Sequence, residues 1–461
     1  MTTFVPVAAV LVAGLSLLLA IQLIRPTLPD LVLGLGPAYL LGTAAVSVTA
    51  ITLLVAGTSL VLAFVAAAVL PTLGGVVVIA RRKGTFNRHR GEPVPRAAAV
   101  ALIVLLALAI LGAAGALGHP VDGWDAWSIY ERKALALLHA DGLDPRFFAN
   151  PSLAFMHADY PLLLPLLEAV EMKFGAAADG TGLVVLTWLV FVAYGWTVVF
   201  VAAREVHSAW PLVAGIALMV VPGGYGQALT GYADIPMAAL LGAGVMFAAS
   251  WLRSGRKAYL VTAAVLLAGT AAAKNEGLLG AIVVLLAATA FARTPLRRSH
   301  ALIAAALVLA TVLPWRLWLA RHGIHGDVAF SDGIDPGYVV DRLERAGLAV
   351  SGLARDGFGS DWPLILPVAL LLTAIGAFAR GTRTLALFHL AAGLGFFAVL
   401  VWVYTVSRND INWYLGTSAP RTVTAVILIE MSAIVHLAGG EPVAGARDGR
   451  ETSPDREPHR P

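Results

Sequence analysis

Cysteine is absent from the 461-residue chain, and charged residues are scarce. Without thiols the protein can form no disulfide and has no thiolate to act as a nucleophile or metal ligand. Only 13% of the residues are charged and 59% are hydrophobic, whereas a soluble protein has about 25% charged residues. This composition argues against a water-soluble enzyme and indicates an integral membrane protein.

Short motifs of nucleotide and hydrolase chemistry are also missing. The chain has no Walker A loop, no HExxH helix, no G-x-S-x-G elbow and no dinucleotide-binding unit. The sequence therefore indicates no ATP site, and it offers no pattern typical of nucleic-acid binding. A transferase outside the membrane, where nucleotide sugars are unavailable, needs a donor carried by a lipid.

Long apolar runs recur along the chain, and each can cross about 30 Å of hydrocarbon as a helix. The first run has no basic residue before it and no small-residue cleavage site, so we interpret it as a retained anchor. The predicted fold class is an all-α integral membrane protein with about thirteen transmembrane helices. The predicted spans are residues 5–24, 32–54, 58–80, 97–118, 181–203, 209–222, 235–252, 258–273, 278–292, 301–319, 363–379, 385–406 and 420–438.

Basic residues predict the orientation of these spans. Residues 81–96 carry six Lys or Arg and one acid, which places this loop in the cytoplasm by the positive-inside rule. Alternate counting puts the basic loops 253–257, 293–298 and 380–383 on the same side. Most acids then fall on the opposite side. We expect a multi-pass protein of the plasma or inner membrane whose active site faces the extracytoplasmic side.

The chain is predicted to have three parts. Residues 1–96 hold three N-terminal spans and the basic loop, and residues 97–438 form the catalytic membrane module. Residues 439–461 are polar, mixed in charge and rich in proline, and are expected to be disordered. The orientation requires that residues 160–174, which hold three charges and two prolines, lie in the outer interface as a helix.

Five polar clusters interrupt the apolar pattern, and all five fall on the predicted outer side. Charged groups within a membrane are costly unless they line a wet cavity or pair with each other. The spans on either side of Lys274–Gly277 reach only about 24 Å, so this turn is expected below the outer surface. The residues singled out are Asp122, Asp125, Arg132, His157, Asp159, Tyr160, Asp234, Lys274, Glu276 and Arg421.

Several of these residues also have plainer interpretations. Asp122, Asp125 or Asp234 is compatible with a helix N-cap, because aspartate commonly precedes a helix. Lys274 and Glu276 are compatible with a simple salt bridge in a turn. The coincidence of all five clusters on one side is more informative than any single residue.

Other signals are weak by themselves. The His157-x-Asp159 spacing is only a weak indication of a metal site, so we assign no metal ligands. We predict no cofactor, and a divalent metal stays an open alternative. Arg421 is compatible with an interfacial anchor. Trp124 and Trp127 are more typical of an interfacial aromatic belt than of sugar-stacking platforms.

On these residues the chain resembles the GT-C fold glycosyltransferases that use lipid-phosphate sugars, the superfamily of protein O-mannosyltransferase and aminoarabinose transferase. The resemblance covers about residues 97–438 and depends on the order and sidedness of five loose motifs. The chain departs from the family in having three spans before the usual first helix. The motifs are Trp124–Tyr130 with Arg132, His157–Pro161, Tyr232–Pro236, Lys274–Gly277 and Ser418–Arg421.

The resemblance implies a reaction and a general base. A monosaccharide would move with inversion from a polyprenyl-phosphate donor to a hydroxyl of a glycan, lipid or protein acceptor. Asp125 would take the proton of that hydroxyl. In this chain Asp122-Gly-Trp-Asp125 replaces the adjacent acidic pair of the family, so the base is Asp125 or Asp122.

The resemblance also implies roles for the other polar residues. Lys274, Arg421 and Arg132 would stabilise the negative charge of the leaving phosphate. Asp234 would orient the sugar or the base, and Glu276 would hold Lys274 in place. The implied substrate-binding residues are Arg132, His157, Asp159, Tyr160, Asp234, Lys274, Glu276 and Arg421.

Two other functions stay open at this point. A transporter or flippase of a lipid-linked or polar solute would show matched, broken helices and polar residues in both membrane halves. In this chain the polar clusters all fall on the outer side, and few polar residues face the cytoplasmic half of the membrane. This distribution disfavours transport. A non-catalytic partner in polysaccharide assembly would keep the fold but tolerate loss of Asp125.

Overall fold

The computed structural model describes residues 4–81, 95–175, 180–205, 210–326 and 333–437. Within these ranges the chain is helical and contains no β-strand. Most of the predicted cytoplasmic loop (82–94) and the tail predicted to be disordered (439–461) lie outside the described residues.

The helices are named in chain order. The long outer segment after α5 also contains a π-helix, Ala126–Glu131, and a 3₁₀-helix, Pro151–Met156. The α-helices are α1 Val5–Ala20, α2 Leu28–Leu33, α3 Leu35–Val55, α4 Leu60–Arg81, α5 Arg96–Leu117, α6 Arg132–His139, α7 Pro145–Phe148, α8 Leu163–Phe174, α9 Val184–Glu205, α10 Trp210–Val220, α11 Pro222–Ala228, α12 Asp234–Ser254, α13 Lys257–Ala273, α14 Asn275–Phe291, α15 Pro295–Arg321, α16 Pro336–Val340, α17 Glu344–Gly357, α18 Ile365–Phe378, α19 Arg383–Val406 and α20 Ile411–Leu437.

Eight of these helices have the length and apolar character needed to cross a membrane. They are α3, α4, α5, α9, α12, α15, α19 and α20. Helices α1, α13, α14 and α18 are apolar but shorter. The protein is therefore a multi-pass, all-α membrane protein. Each of the thirteen predicted spans contains a helix, but the number that crosses the bilayer stays a prediction.

Three helices form the centre of the bundle. The apolar stretch of α12 is entirely buried, and those of α9 and α20 are almost so, whereas α4, α5 and α15 are largely exposed. The exposed side chains on these outer helices are long and aliphatic, such as Ile110 of α5 and Leu307 of α15. A continuous apolar surface of this kind suits lipid and is unfavourable in water.

Glycines bring α1 and α3 into close contact. Gly14 of α1 lies against the backbone of Ala38, and Gly42 of α3 lies against the carbonyl of Val10. Small residues allow such close approach between helices in membranes. Gly36 of α3 packs in turn against Trp196 of α9, so the N-terminal helices are joined to the centre of the bundle.

Replacing Gly42 by alanine is expected to destabilise the protein by about 1–3 kcal/mol, because the added Cβ collides with the Val10 carbonyl. Gly74 of α4 is the matched control, since a Cβ there meets open space. Gly74→Ala should be neutral or stabilise by up to about 1 kcal/mol, because alanine has the higher helix propensity. Thermal unfolding in detergent measures the stability of both variants. Equal changes in stability would contradict the close contact between α1 and α3.

Basic residues gather at one end of the bundle, here named the basic end. Arg204 pairs with Asp30 at 3.1 Å, and Arg253 pairs with Glu205 at 3.4 Å. Arg297 donates a hydrogen bond to a carbonyl at the last turn of α12. The predicted cytoplasmic loops 253–257 and 293–298 therefore lie together. The opposite end of α12, about 31 Å away, begins at Asp234 and is named the site end.

Helix α8 is buried among other helices of the bundle. The sequence predicts residues 160–174 as a helix lying in the interface, and α8 packs against α1, α3, α4, α6, α13 and the π-helix. Its residues from Leu163 to Met172 are buried, including Glu168 and Glu171. Burial raises the pKa of Glu171 to about 7, and burial together with nearby Glu131 raises the pKa of Glu168. Both carboxyl groups are thus held closer to their neutral form.

Candidate functional site

Asp125 lies at the junction between α5 and the π-helix. Its carboxylate forms an ion pair with the guanidinium of Arg421 on α20. The Asp125 side chain is 24% exposed, and although the residue occupies the N-cap position of the π-helix, its side chain forms no capping hydrogen bond. π-Helices are rare and occur frequently at functional sites.

Asp234 is the first residue of α12 and is buried. One carboxylate oxygen, Oδ1, lies 2.9 Å from Nζ of Lys274, and the other, Oδ2, lies 3.9 Å from Nε of Arg421. Its side chain forms no helix cap, since the N-cap residue is Ala233. Asp234 therefore bridges the two cations of the site end.

Lys274 occupies the break between α13 and α14, where the backbone is extended. Its side chain is buried, and Nζ also lies 3.7 Å from Oε1 of Glu276. Burial alone would lower the pKa of Lys274, but the carboxylates of Asp234 and Glu276 outweigh it and raise this pKa well above its usual value. Lys274 is therefore held as a cation below the surface.

These five residues form one charge cluster, made of Asp125, Arg421, Asp234, Lys274 and Glu276. Three carboxylates and two cations meet, so the formal charge is −1. Buried charges need such mutual pairing to offset the loss of hydration. Asp125 and Arg421 are the partly exposed members, whereas Asp234, Lys274 and Glu276 are buried. Asp125 and Arg421 are therefore the members of the cluster that are accessible from the site end.

Tyrosine rings surround the charge cluster. The Arg421 guanidinium lies 4.6 Å from the centre of the Tyr232 ring, and Nζ of Lys274 lies 6.0 Å from the centre of the Tyr160 ring. Cations are attracted to aromatic faces at these distances. Tyr130 of the π-helix is buried beside the same charges. The rings form an amphipathic wall around the two cations.

His157 and Tyr160 lie in a turn beside these tyrosine rings. Their rings stack with centroids 4.7 Å apart, and His157 adopts a left-handed backbone with φ of 48°. That conformation is uncommon for residues other than glycine. Fully buried Lys133 donates a hydrogen bond of 2.5 Å from Nζ to the carbonyl of His157. Lys133 thus holds the turn in position.

Asp159 belongs to a second polar network next to Lys274. Its Oδ2 accepts a 2.7 Å hydrogen bond from Nδ2 of Asn275, and Oδ1 of Asn275 accepts a 2.5 Å hydrogen bond from Arg316 of α15. Trp315 donates to the carbonyl of Asp159 at 3.2 Å. The network ties the first outer segment to the break between α13 and α14.

Replacing Asn275 by alanine is expected to destabilise the protein by about 1–3 kcal/mol, because Asp159 and Arg316 each lose a partner. Asn412, exposed in the first turn of α20, is the matched control, and its replacement by alanine should change stability by less than about 0.5 kcal/mol. Thermal unfolding in detergent measures both variants. Equal stability of the Asn275 and Asn412 variants would show that the network does not stabilise the fold.

Arg132 and Asp122 lie outside both the charge cluster and the polar groups beside it. The Arg132 guanidinium lies 5.9 Å from the Trp127 ring centre and 5.6 Å from the Phe155 ring centre. Asp122 is exposed at the rim, close enough to Tyr232 to influence that hydroxyl. Across the described ranges, no three His, Asp or Glu side chains are grouped so that they could hold a metal ion.

Sequence reasoning did not assign Asn275, Arg316 or Lys133 to the site. Arg316 could have been found as a lone charge within the apolar stretch of α15. No family model, curated protein or solved structure matches the chain. The functional argument therefore depends on the charge cluster itself.

Proposed function

We propose that the protein is a membrane glycosyltransferase that moves a monosaccharide from a polyprenyl-phosphate donor to an acceptor hydroxyl. The observation that supports it is the chain of contacts from Asp125 through Arg421 and Asp234 to Lys274. These contacts put a partly exposed carboxylate next to two fixed cations at one end of a membrane bundle. A displacement that removes a proton and releases a phosphate needs both kinds of group.

Asp125 is the general base of the proposed reaction. It accepts the proton of the acceptor hydroxyl while the oxygen bonds to the anomeric carbon of the sugar. The bond from that carbon to the phosphate oxygen breaks, and its electron pair leaves with the polyprenyl phosphate. A single displacement inverts the anomeric configuration, because no second carboxylate nucleophile takes part.

Arg421 links donor binding to the release of the base. In the structure its guanidinium pairs with Asp125. An incoming phosphate competes for the same guanidinium, because arginine binds phosphate oxygens in a planar, bidentate manner. When the phosphate takes this place, Asp125 is free to accept a proton. Lys274, held by Asp234 and Glu276, adds a fixed positive charge behind the phosphate.

Asp125 suits the role of base better than Asp122. Asp125 lies inside the charge cluster and is partly shielded from water, whereas Asp122 is exposed at the rim. In this proposal Asp122 contacts the acceptor as it enters. In the proposed arrangement the module is GT-C-like, about thirteen helices cross the membrane, and the site end faces the extracytoplasmic side.

Binding of the donor is expected to stabilise the purified protein. A panel of polyprenyl-phosphate monosaccharides and bare polyprenyl phosphate is tested by thermal unfolding in detergent, with no acceptor needed. A ligand present at about 100 times its dissociation constant adds roughly 2.7 kcal/mol of stability. The stabilisation should be lost in Arg421→Ala but kept in Arg146→Ala, an exposed arginine of the outer segment. No response to any of these lipids would contradict the proposed function.

A further inference from the structure

The outer part of α20 has an exposed face that leads to the charge cluster. Its residues, named the open face, are Asn412, Trp413, Gly416 and Thr417, and the large ring of Trp413 is 60% exposed. Trp413, Thr417 and Arg421 follow each other at intervals of four residues, about one helical turn, and so lie near one side of the helix. The open face therefore ends where Arg421 pairs with Asp125.

The open face does not belong to the lipid-facing surface. Further along α20 the same side of the helix is closed, because Val423, Thr424 and Ile427 are buried. The helices that face lipid, α4, α5 and α15, are exposed over most of their length and carry long aliphatic side chains. The open face has one aromatic ring among small and polar residues. It is thus an opening at the site end, with Arg421 at its inner end.

Unoccupied space lies over the open face. A Cβ added at Gly416 would meet no atom within 4 Å. The backbone N–H of Trp413 donates a 2.9 Å hydrogen bond to Oδ1 of Asp410, which fixes the first turn. The hydroxyl of Thr417 donates to the Trp413 carbonyl at 2.9 Å, so its oxygen keeps a lone pair for a further hydrogen bond. The open face thus offers an aromatic ring and a hydrogen-bond acceptor beside free space.

These groups match a sugar better than a lipid or a peptide. A sugar ring has an apolar side of C–H groups that can stack on an indole, and its hydroxyls can donate to Oγ1 of Thr417. A lipid chain needs a continuous apolar wall, and an extended peptide can bind by adding a strand to a sheet edge. The open face has a single large apolar side chain and main-chain groups that the helix already pairs, so it suits neither.

The length of the open face determines the size of the ligand. Trp413 and Arg421 are eight residues apart, about 12 Å along α20. A single sugar ring is shorter than this distance. A ligand that stacks on Trp413 and also brings a hydroxyl to Asp125 therefore needs several linked sugar units. Because no residue of the open face is charged, neutral sugars are favoured.

We propose that the acceptor is the end of a neutral glycan, bound along the open face with one sugar ring stacked on Trp413. The hydroxyl of its last sugar gives its proton to Asp125, and the oxygen forms the new glycosidic bond while the polyprenyl phosphate leaves. The inference rests on the proposed function, since it names the acceptor of that transfer. The sequence leaves this acceptor open between a glycan, a lipid and a protein.

Saturation-transfer NMR of the full chain in detergent tests the class of acceptor without any donor. The ligands are neutral hexasaccharides of glucose, mannose and galactose, and the three monosaccharides are used for comparison. At least one hexasaccharide is expected to bind the wild type more tightly than its monosaccharide. Trp413→Ala should weaken this binding about tenfold, equal to roughly 1.4 kcal/mol, and Trp413→Phe should restore part of it.

Filling the free space is a second test that spares the fold. Gly416→Leu adds a side chain that meets no neighbour and raises helix propensity, so it should keep stability but block the hexasaccharide. Gly347→Leu is the matched control, because this glycine of α17 also borders open space but is not part of the open face. Its hexasaccharide binding should stay at the wild-type level. Thermal unfolding identifies any variant that is misfolded.

The outcomes separate the glycan acceptor from the proposed function. If donor lipids stabilise the protein but no hexasaccharide binds, or if Trp413→Ala and Gly416→Leu both bind it as the wild type does, the glycan acceptor is overturned and the transferase stands. Hexasaccharide binding through Trp413 with no response to donor lipids would keep the glycan site and contradict the transferase. A peptide rich in serine and threonine that binds instead of the hexasaccharides, and is blocked in Gly416→Leu, would overturn the glycan in favour of a protein acceptor.

Discussion

Replacing Asp125 by asparagine is expected to lower the rate of sugar transfer by about 10²–10⁴-fold, the usual contribution of a general base. Asparagine has nearly the same shape and can still accept a hydrogen bond from Arg421, but it cannot take up the proton of the acceptor. Binding of the donor should therefore persist. Single-turnover transfer from a labelled donor measures the rate, and thermal stabilisation measures donor binding in the same preparation.

Asp122→Asn is the matched control for this variant. Asp122 is three residues away in the same segment but is exposed at the rim, so its amide variant should keep transfer within about tenfold of the wild type. If Asp122→Asn lost transfer and Asp125→Asn kept it, the roles of the two residues would be reversed. Wild-type transfer by both variants would contradict a carboxylate base at this position.

Replacing Lys274 by methionine is expected to destabilise the fold by about 3–5 kcal/mol, because removing one member of a buried ion pair leaves the others uncompensated. Asp234 and Glu276 would then be buried with Arg421 as the nearest remaining cation. Unfolding in denaturant, followed by tryptophan fluorescence, measures the loss. Lys257→Met, an exposed position at the start of α13, should be close to neutral.

A double variant shows whether the loss comes from unpaired charge. Asp234→Asn combined with Lys274→Met removes both members of the 2.9 Å pair and keeps the shape of each side chain. It should recover part of the stability lost in Lys274→Met. If the double variant were as unstable as the sum of the single variants, Lys274 would stabilise the fold through packing and not through charge.

Part of this arrangement can be predicted from the sequence. Basic and acidic loops alternate along the chain, and this alternation predicts which loops lie at the same end of the bundle. Asp125, Asp234, Lys274 and Arg421 were assigned to one end in this way, and the structure brings them into contact. The short helices beside Lys274 also predicted that this residue is recessed, and its side chain is buried.

Other features carry no signal in a single sequence. A lone histidine in an apolar helix, such as His389 or His436, does not indicate which helix it faces, so their proximity could not be predicted. The glutamates of α8 predicted a helix at the interface, whereas packing against five other α-helices and the π-helix buries them. Which residues pair depends on how the loops fold back across the bundle, and apolar periodicity contains no information on this.

The last helix completes the charge cluster. Arg421 lies on α20, whereas Asp125, Asp234 and Lys274 belong to segments synthesised before it. Because domains of a growing chain fold from the N-terminus onward, the carboxylates enter the membrane before their second cation exists. Asp125 therefore has no Arg421 to pair with, and stays hydrated, until α20 inserts. A chain that ends before α20 would keep Lys274 beside Asp234 and Glu276 but would leave Asp125 without its cation at the site end.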